Sequence, residues 1–256
     1  MRARSLSRLL IWELWLPVAL LAWWWIGSAD STSPFYPPLS AITESFTRTW
    51  FGSGFATDIV PSLSNLVVAL SIAVVLGVGV GLLLALNPLA GAIADPFVQF
   101  FRAIPSLALL PPLFVLLGTG VTGKIVAIAF GAVWPILLNT LDGIISIDPS
   151  VRLAARSYRI QTPLLISSVL IPGALPQIAI GVRTSLSIGV ILMVGSEMFA
   201  STEGLGHFVI VAQQTFAIAD MWSGILVLGI IGYLLNLGYG LIERRLLRWR
   251  PPATGM

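Results

Sequence analysis

Long apolar stretches alternate with short polar ones along most of the chain. Six of them are long enough, or nearly so, to cross a bilayer as a helix, which takes about 20 apolar residues. They run from about 12 to 28, 59 to 86, 93 to 117, 124 to 141, 173 to 199 and 221 to 242. The third contains Pro105, Pro111 and Pro112, which predict a broken helix. The pattern therefore predicts an all-α, polytopic membrane protein with six transmembrane helices, forming a single domain over residues 1–256.

Composition agrees with a membrane location and removes several kinds of chemistry. Of the 256 residues, 57% are hydrophobic and 10% are charged, and the mean hydropathy is +0.95. Soluble domains carry about 25% charged residues, so the surplus apolar surface requires membrane lipid. The chain has no cysteine, which excludes disulfides and thiolate sites, and His207 is the only histidine. A net charge of +3 gives no case for nucleic acid.

Basic residues predict the orientation, because cytoplasmic loops are enriched in Lys and Arg. If both termini are cytoplasmic, eleven arginines fall inside: Arg2, Arg4, Arg8, Arg152, Arg156, Arg159, Arg183, Arg244, Arg245, Arg248 and Arg250. The outer loops then keep only Arg48 and Lys124. We therefore expect a multi-pass protein of the plasma or inner membrane with both ends inside. A cleaved signal peptide is the alternative for the first stretch, since the small residues Gly27 and Ala29 follow it.

The segment 142–172 is too long for a simple connection between the fourth and fifth stretches. Asp148 followed by Pro149 is a typical helix start, because Asp caps and Pro fits the first turn. A similar arrangement begins at Thr162, so we predict two short helices at an angle, meeting near Arg159. One face of the first helix is apolar and consists of Val151, Ala154, Ala155 and Tyr158. The other face is basic and consists of Arg152, Arg156 and Arg159. Such a helix can lie on anionic lipid or dock in a groove of a partner protein.

This segment resembles the EAA loop of the inner-membrane permeases of bacterial ABC importers. Counting back from Pro172, the alanine pair of that pattern falls on Ala154 and Ala155, and the aliphatic positions fall on Val169 and Ile171. Leu153 replaces the Glu of the pattern. Arg159 replaces its Gly, and we expect either an ordinary turn there or an added salt bridge from Arg159 to the ATPase. Further strings are similar to the nitrate, sulfonate and taurine branch, namely 155–158, 170–176, 102–108, 135–140, 204–206 and 243–245.

The resemblance implies the type I ABC importer permease fold and a set of partners. The permease would act as a homodimer, with two ATPase subunits that bind ATP and Mg²⁺, and an extracytoplasmic binding protein that delivers the solute. The chain itself would bind no cofactor or metal. The segment 142–172 would be the cytoplasmic coupling loop that docks on the ATPase. Its coupling residues would be Ala154, Ala155, Arg156, Ser157, Tyr158, Arg159 and Pro172.

One glycine-rich string looks like a phosphate-binding loop. Residues 118–124 nearly spell Gly-x4-Gly-Lys, but Ile125 replaces the hydroxyl residue that Mg²⁺ requires, and the string joins two predicted spans. The chain is therefore predicted to be a transporter subunit and not an enzyme.

Charged side chains at membrane depth are the default candidates for a translocation pathway. Arg102, inside the third span, is suited to an anion. Alternatively, it bonds carbonyl groups that the prolines leave free. Ser106, Asn139 and Met193 are weaker candidates for the pathway wall, and Glu197 is interpreted mainly as structural. In the second span, Gly77 and Gly81 predict close helix packing.

The expected cargo is an aliphatic sulfonate, taurine, nitrate or a related small anion. Related permeases leave two alternatives, a vitamin precursor (the thiamine pyrimidine or riboflavin) and an aromatic acid. A different class, an ion-coupled secondary transporter, would need coupling charges at the midplane and no cytoplasmic docking loop.

Overall fold

The computed structural model describes residues 15–16, 18–20, 22–29, 31, 33 and 35–249, without the side chains of Arg152, Arg156 and Ala200. Regular structure in this part of the chain is entirely helical, as predicted. The helices are α1 (Val18–Ser28), α2 (Leu39–Trp50), α3 (Val60–Leu86), α4 (Pro88–Ala103), α5 (Leu110–Leu117), α6 (Val121–Ile145), α7 (Pro149–Ser157), α8 (Thr162–Leu165), α9 (Ile171–Ala200), α10 (Leu205–Gln214) and α11 (Ile218–Leu246).

Within the part of the chain that the structure describes, four helical stretches are long and apolar enough to cross a membrane. They are Phe55–Leu86, Val121–Ile145, Thr162–Phe199 and Ile218–Leu246. A fifth span is the broken one, because Pro88–Ala103 and Ser106–Leu117 meet at an angle of 89°. The predicted interruption of the third stretch is thereby confirmed. Part of the first predicted stretch lies outside the described residues, and Val18–Ser28 is a shorter apolar helix.

Helix α6 lies at the centre of the fold, between α3 and α9. A Cβ atom added at Gly77 would lie 2.8 Å from Cβ of Ile136, and one at Gly81 would lie 2.7 Å from the carbonyl oxygen of Leu137. On the other side, a Cβ atom at Gly181 of α9 would lie 2.8 Å from the Pro135 carbonyl oxygen. Glycines therefore let three helices approach closely, and the packing interpretation of Gly77 and Gly81 is confirmed.

Two helices at the end predicted to lie outside do not follow from the apolar stretches. Helix α2 is amphipathic, and α10 lies against α9 and α11 where the sequence suggested only a loop. Trp50 of α2 packs edge-on against Phe208 of α10, with 4.8 Å between ring centroids. Arg48 of α2 forms an ion pair with Asp220 of α11, at 2.9 Å. Aromatic packing and charge pairing thus join α2 to the outer ends of α10 and α11.

Candidate functional site

The coupling segment begins with the predicted helix cap. Asp148 accepts a hydrogen bond from the backbone N–H of Ser150 at 2.8 Å, and α7 starts at Pro149. This backbone hydrogen bond, with that of the Ser150 side chain, holds the pKa of Asp148 below its usual value. The cap therefore stabilises α7 fully at pH values above the pKa that Asp148 has in the unfolded chain. This stabilisation is lost as the pH falls through the lowered pKa of the folded state.

The end of α7 corrects the expectation for Arg159. Its φ angle is +51°, the left-handed conformation that glycine favours. The backbone N–H of Ile160 reaches back to the Ala155 carbonyl at 3.0 Å, which closes a Schellman-type helix end around Arg159. An ordinary turn was therefore the wrong prediction. Arg159 adopts the conformation that the glycine of the EAA pattern would supply.

The side chains of α7 are mostly exposed, with one exception among those described. Ala154 is exposed, Tyr158 is 82% exposed, and Val151 also faces outward. Ala155, by contrast, is only 5% exposed. Of the predicted apolar face, Ala155 thus packs inward while the other three residues are available to a partner. Ser157 is exposed and its hydroxyl donates to the Leu153 carbonyl at 3.0 Å. The side chain of Arg156 lies outside the described residues.

The second predicted short helix is instead the start of a long one. Residues Thr162–Phe199 form one continuous helix, so the last part of the predicted segment 142–172 is the beginning of that helix. A widened π-helical turn, Ile166–Leu170, ends two residues before Pro172. A proline ring clashes with the carbonyl four residues earlier, and a widened turn relieves that clash. Pro172 therefore lies within a helix that leads from the coupling segment across the membrane.

Arg102 and Ser106 lie at the break between α4 and α5. Phe101 stacks on Trp134 with 5.8 Å between ring centroids, and a Cβ atom at Gly131 would lie 3.2 Å from Cβ of Ser106. Both contacts are near the middle of α6, which places the break deep in the membrane-spanning part. Arg102 is exposed in the single chain. Among the described residues, the Arg102 side chain makes no hydrogen bond or ion pair. The alternative that Arg102 bonds carbonyl groups freed by the prolines is therefore not observed.

Asn139 and Met193 have packing roles in this conformation. The Asn139 amide donates to the Pro135 carbonyl at 2.8 Å within α6. Its Cβ lies 2.9 Å from where a Cβ atom of Gly181 would be, so it fills the contact with α9. Met193 has no exposed surface and belongs to the largest apolar cluster. The suggestion that Met193 lines a pathway is therefore not supported by its position.

Glu197 is the centre of a buried polar cluster at the end predicted to be the outer one. Three successive backbone N–H groups at the start of α10 bond to three different side chains. Gly204 donates to Asp58 (3.1 Å), Leu205 to Ser62 (2.9 Å) and Gly206 to Glu197 (2.9 Å). Since the first N–H groups of a helix have no partner inside the helix, these side chains satisfy them. This outer cap network, made of Asp58, Ser62, Glu197 and residues 204–206, supports the structural interpretation of Glu197.

The outer cap network requires glycine at position 204, because the Glu197 side chain lies too close for a Cβ atom there. Gly204 has a φ angle of +107°, and a Cβ atom there would lie 2.5 Å from the carboxylate carbon of Glu197.

Lys124 is buried nearby, and its ammonium group donates to the Ser201 hydroxyl at 2.9 Å. The distribution of charges predicted Lys124 in an outer loop, whereas it lies in the first turn of α6. His207 and Glu203 form no metal site among the described residues.

Comparison with known proteins is consistent with this architecture. Residues 73–248 match the sequence model described as the inner membrane component of binding-protein-dependent transport systems. The chain is 34% identical to the taurine transport system permease protein TauC of Escherichia coli over 91% of this chain and 87% of that one. It is 33% identical to a putative aliphatic sulfonates transport permease protein, SsuC, of Bacillus subtilis (70% and 65%). Identity is 30% to the bicarbonate transport system permease protein CmpB of Synechococcus elongatus (88% and 85%).

Solved structures share the fold. The inward-facing MetNI methionine ABC transporter aligns with a TM-score of 0.61 at 24% identity, covering 74% of this chain and 94% of the matched one. An amino acid ABC transporter crystallised with histidines aligns with a TM-score of 0.57 at 18% identity, covering 82% and 96%.

Proposed function

Because the chain belongs to the family of inner membrane components of binding-protein-dependent transport systems, we propose that it carries a small sulfonate-type anion, with taurine as the leading candidate. The chain is the permease subunit of an ABC importer and a multi-pass inner membrane protein. It works with a separate ATPase subunit, which hydrolyses ATP, and with a binding protein. The cargo proposal is carried by the similarity to the taurine permease, which extends over 91% of the chain.

The chemistry of the relatives' cargoes supports an anion. Taurine, aliphatic sulfonates and bicarbonate, which the names of three relatives specify, are small molecules with an anionic oxygen group. Arg102 offers a matching charge at the break between α4 and α5. A guanidinium group presents several N–H donors in a planar fork that suits oxyanions.

A homodimer is part of the proposal because Arg102 is exposed in one copy. An arginine facing lipid at membrane depth costs about 2.5–3.5 kcal/mol on insertion scales. Covering the break with a second copy would replace that lipid by an aqueous pathway between the two permeases. Two ATPase subunits, each with ATP and Mg²⁺, would then serve the pair, and this chain would bind no cofactor.

The proposed contact with the ATPase is the exposed side of α7. Val151, Ala154 and Tyr158 form an apolar surface that the described part of this chain leaves uncovered. Placing α7 in the cytoplasm also places both termini there, in agreement with the distribution of arginines.

The cargo is tested by uptake into proteoliposomes that contain the permease, its ATPase and its binding protein. We expect ATP-dependent uptake of taurine or an alkanesulfonate, and a large loss of uptake in Arg102→Gln with membrane insertion unchanged. Arg48→Gln removes an arginine on the outer side and serves as the charge control. Uptake of riboflavin, the thiamine pyrimidine or an aromatic acid alone would refute the sulfonate proposal. Uptake driven by an ion gradient without the ATPase would indicate a secondary transporter.

The coupling surface is tested by a matched pair of substitutions. Ala154→Glu places a negative charge on the surface proposed to dock on the ATPase. Leu153→Glu places the same charge one residue earlier, where the EAA pattern has Glu. We expect Ala154→Glu to reduce uptake to background and to release the ATPase during purification, while Leu153→Glu retains both. Ala155 is a less suitable site, because it is buried and a charge there would disturb folding. Equal uptake by the two variants would argue against docking through this side.

A further inference from the structure

The final turns of α11 carry apolar and basic residues in succession on one face. Leu234, Leu237 and Leu241 are each about half exposed and follow helical spacing. Arg244 and Arg245 continue the same face, Arg248 follows just beyond the end of the helix, and all three are exposed. At 1.5 Å per residue, the helical part of the stripe, from Leu234 to Arg245, extends about 17 Å along the helix axis. We call these six residues the α11 stripe.

The opposite face of α11 is held against α9. Tyr239 donates through its hydroxyl to the Ala179 carbonyl at 2.7 Å, and Glu243 forms an ion pair with Arg183. The Arg183 guanidinium also lies over the Tyr239 ring, 5.8 Å from its centroid. Since these contacts fix one side of the helix, the α11 stripe faces away from the described part of the chain.

The three arginines of the stripe have no acidic partner among the described residues. Glu243, the adjacent acid, is engaged by Arg183. With Leu241 and Ile242, the arginines line an open cavity of about 520 Å³. Trp249 follows directly and is 57% exposed, as is typical of a residue at the membrane–water interface. A positive, partly apolar cavity at the end of a spanning helix is therefore available to a ligand.

We propose that the α11 stripe binds an anionic phospholipid. The phosphate is held by Arg244, Arg245 and Arg248, and an acyl chain lies along the three leucines. Charge complementarity favours an anionic over a zwitterionic headgroup, because a net negative lipid satisfies the excess of positive charge. The unbroken passage from leucines to arginines favours lipid over a free anion, which would make no use of the apolar half. Assignment to the inner leaflet rests on the proposed orientation, whereas binding does not depend on orientation or cargo.

The test uses the purified permease–ATPase complex in nanodiscs of phosphatidylcholine. Part of this lipid is replaced by one of two lipids with brominated acyl chains, either phosphatidylglycerol or phosphatidylcholine. Quenching by bromine reports lipid near Trp249, whose signal is isolated by subtracting that of Trp249→Phe. We expect brominated phosphatidylglycerol to quench at lower mole fraction than brominated phosphatidylcholine. Each Arg→Gln change at 244, 245 and 248 should lower this preference about fivefold, and added salt should lower it too.

The triple Arg→Lys variant is the matched control and should keep most of the preference, because the charges remain. Equal quenching by the two lipids in the unmodified protein would overturn the proposal, as would an unchanged preference in the triple Gln variant. Full displacement of the lipid by inorganic phosphate would identify a free-anion site instead. Loss of the ATPase from the Gln variant without a change in lipid preference would assign the arginines to protein contact. The chain has no cysteine, so Leu237→Cys can test for a second copy, and crosslinking between copies there would also refute lipid binding.

Discussion

Arg159 shows how a single backbone conformation can be retained while the expected residue is replaced. A non-glycine residue in the left-handed region is strained by roughly 1–2 kcal/mol, because Cβ approaches the carbonyl oxygen. The helix end at Arg159 nevertheless keeps the geometry that glycine would give. The spacing of the EAA pattern identified the position correctly, but sequence could not show that the backbone would hold its conformation against this cost.

Arg159→Gly should therefore stabilise the protein by about 1 kcal/mol and leave uptake intact, because the strain is removed and the helix end is kept. Thermal unfolding of the purified complex measures the first effect and proteoliposome uptake the second. Arg159→Val, with a β-branched side chain, should be less stable than the unmodified chain. A drop in stability for Arg159→Gly would mean that the guanidinium makes a contact worth more than the strain.

The outer cap network depends on glycines for a different reason, which is space. A Cβ atom at Gly206 would collide with the Val194 carbonyl oxygen and lie 2.9 Å from Cβ of Glu197. Gly206→Ala should destabilise the protein by about 1–3 kcal/mol, the usual cost of forcing extra volume into a packed site. Gly229→Ala in α11 is the control, because no atom lies within 4 Å of its added Cβ. Similar melting temperatures for the two variants would show that the network can relax around the methyl group.

At the scale of elements, the length of the apolar stretches predicted the membrane-spanning helices well. It did not predict the short amphipathic helices. A hydrophobic stretch of about 20 residues has few alternatives in lipid, so α3, α6, α9 and α11 follow from composition. Helices α2 and α10 are short and mixed in polarity, and their stability comes from contacts such as Trp50 with Phe208. The helix that begins at Thr162 was predicted to be short because a proline inside a helix, such as Pro172, usually ends it. The widened turn before Pro172 is what lets it continue.

Helix packing between α3 and α6 can be tested with three glycines of one helix. Gly77 and Gly81 face α6, whereas a Cβ atom at Gly79 would have no neighbour within 4 Å. Gly77→Ala and Gly81→Ala should each lower stability by about 1–3 kcal/mol, because the methyl group forces the two helices apart. Gly79→Ala should have little effect. Thermal unfolding by size-exclusion fluorescence makes the comparison, and equal stability of all three variants would contradict the packing of α3 on α6.

On the scale of the whole molecule, one helix connects the proposed coupling segment with the outer cap network. Thr162–Phe199 begins directly after the coupling helix α7 and ends beside Glu197, where the outer cap network holds α10. Movement of α7 by the ATPase would therefore reach the outer side through a continuous element. The EAA spacing and the string 204–206 singled out both of these regions in the sequence. It could not show that they share a helix, because that continuity depends on the turn before Pro172.

The proposed orientation of this helix gives a prediction for the whole chain, and the absence of cysteine makes it simple to test. Ser53→Cys and Thr202→Cys are exposed at the outer end and should react with an impermeant maleimide in intact spheroplasts. Ser150→Cys, exposed on the coupling segment, should react only after permeabilisation. Ser5→Cys should behave like Ser150→Cys if the first apolar stretch crosses the membrane. Labelling of Ser5→Cys from outside would place the N-terminus there, and its loss from the mature protein would reveal a cleaved signal peptide. Labelling of Ser150→Cys in intact spheroplasts would invert the entire topology, and with it the docking of the ATPase on α7.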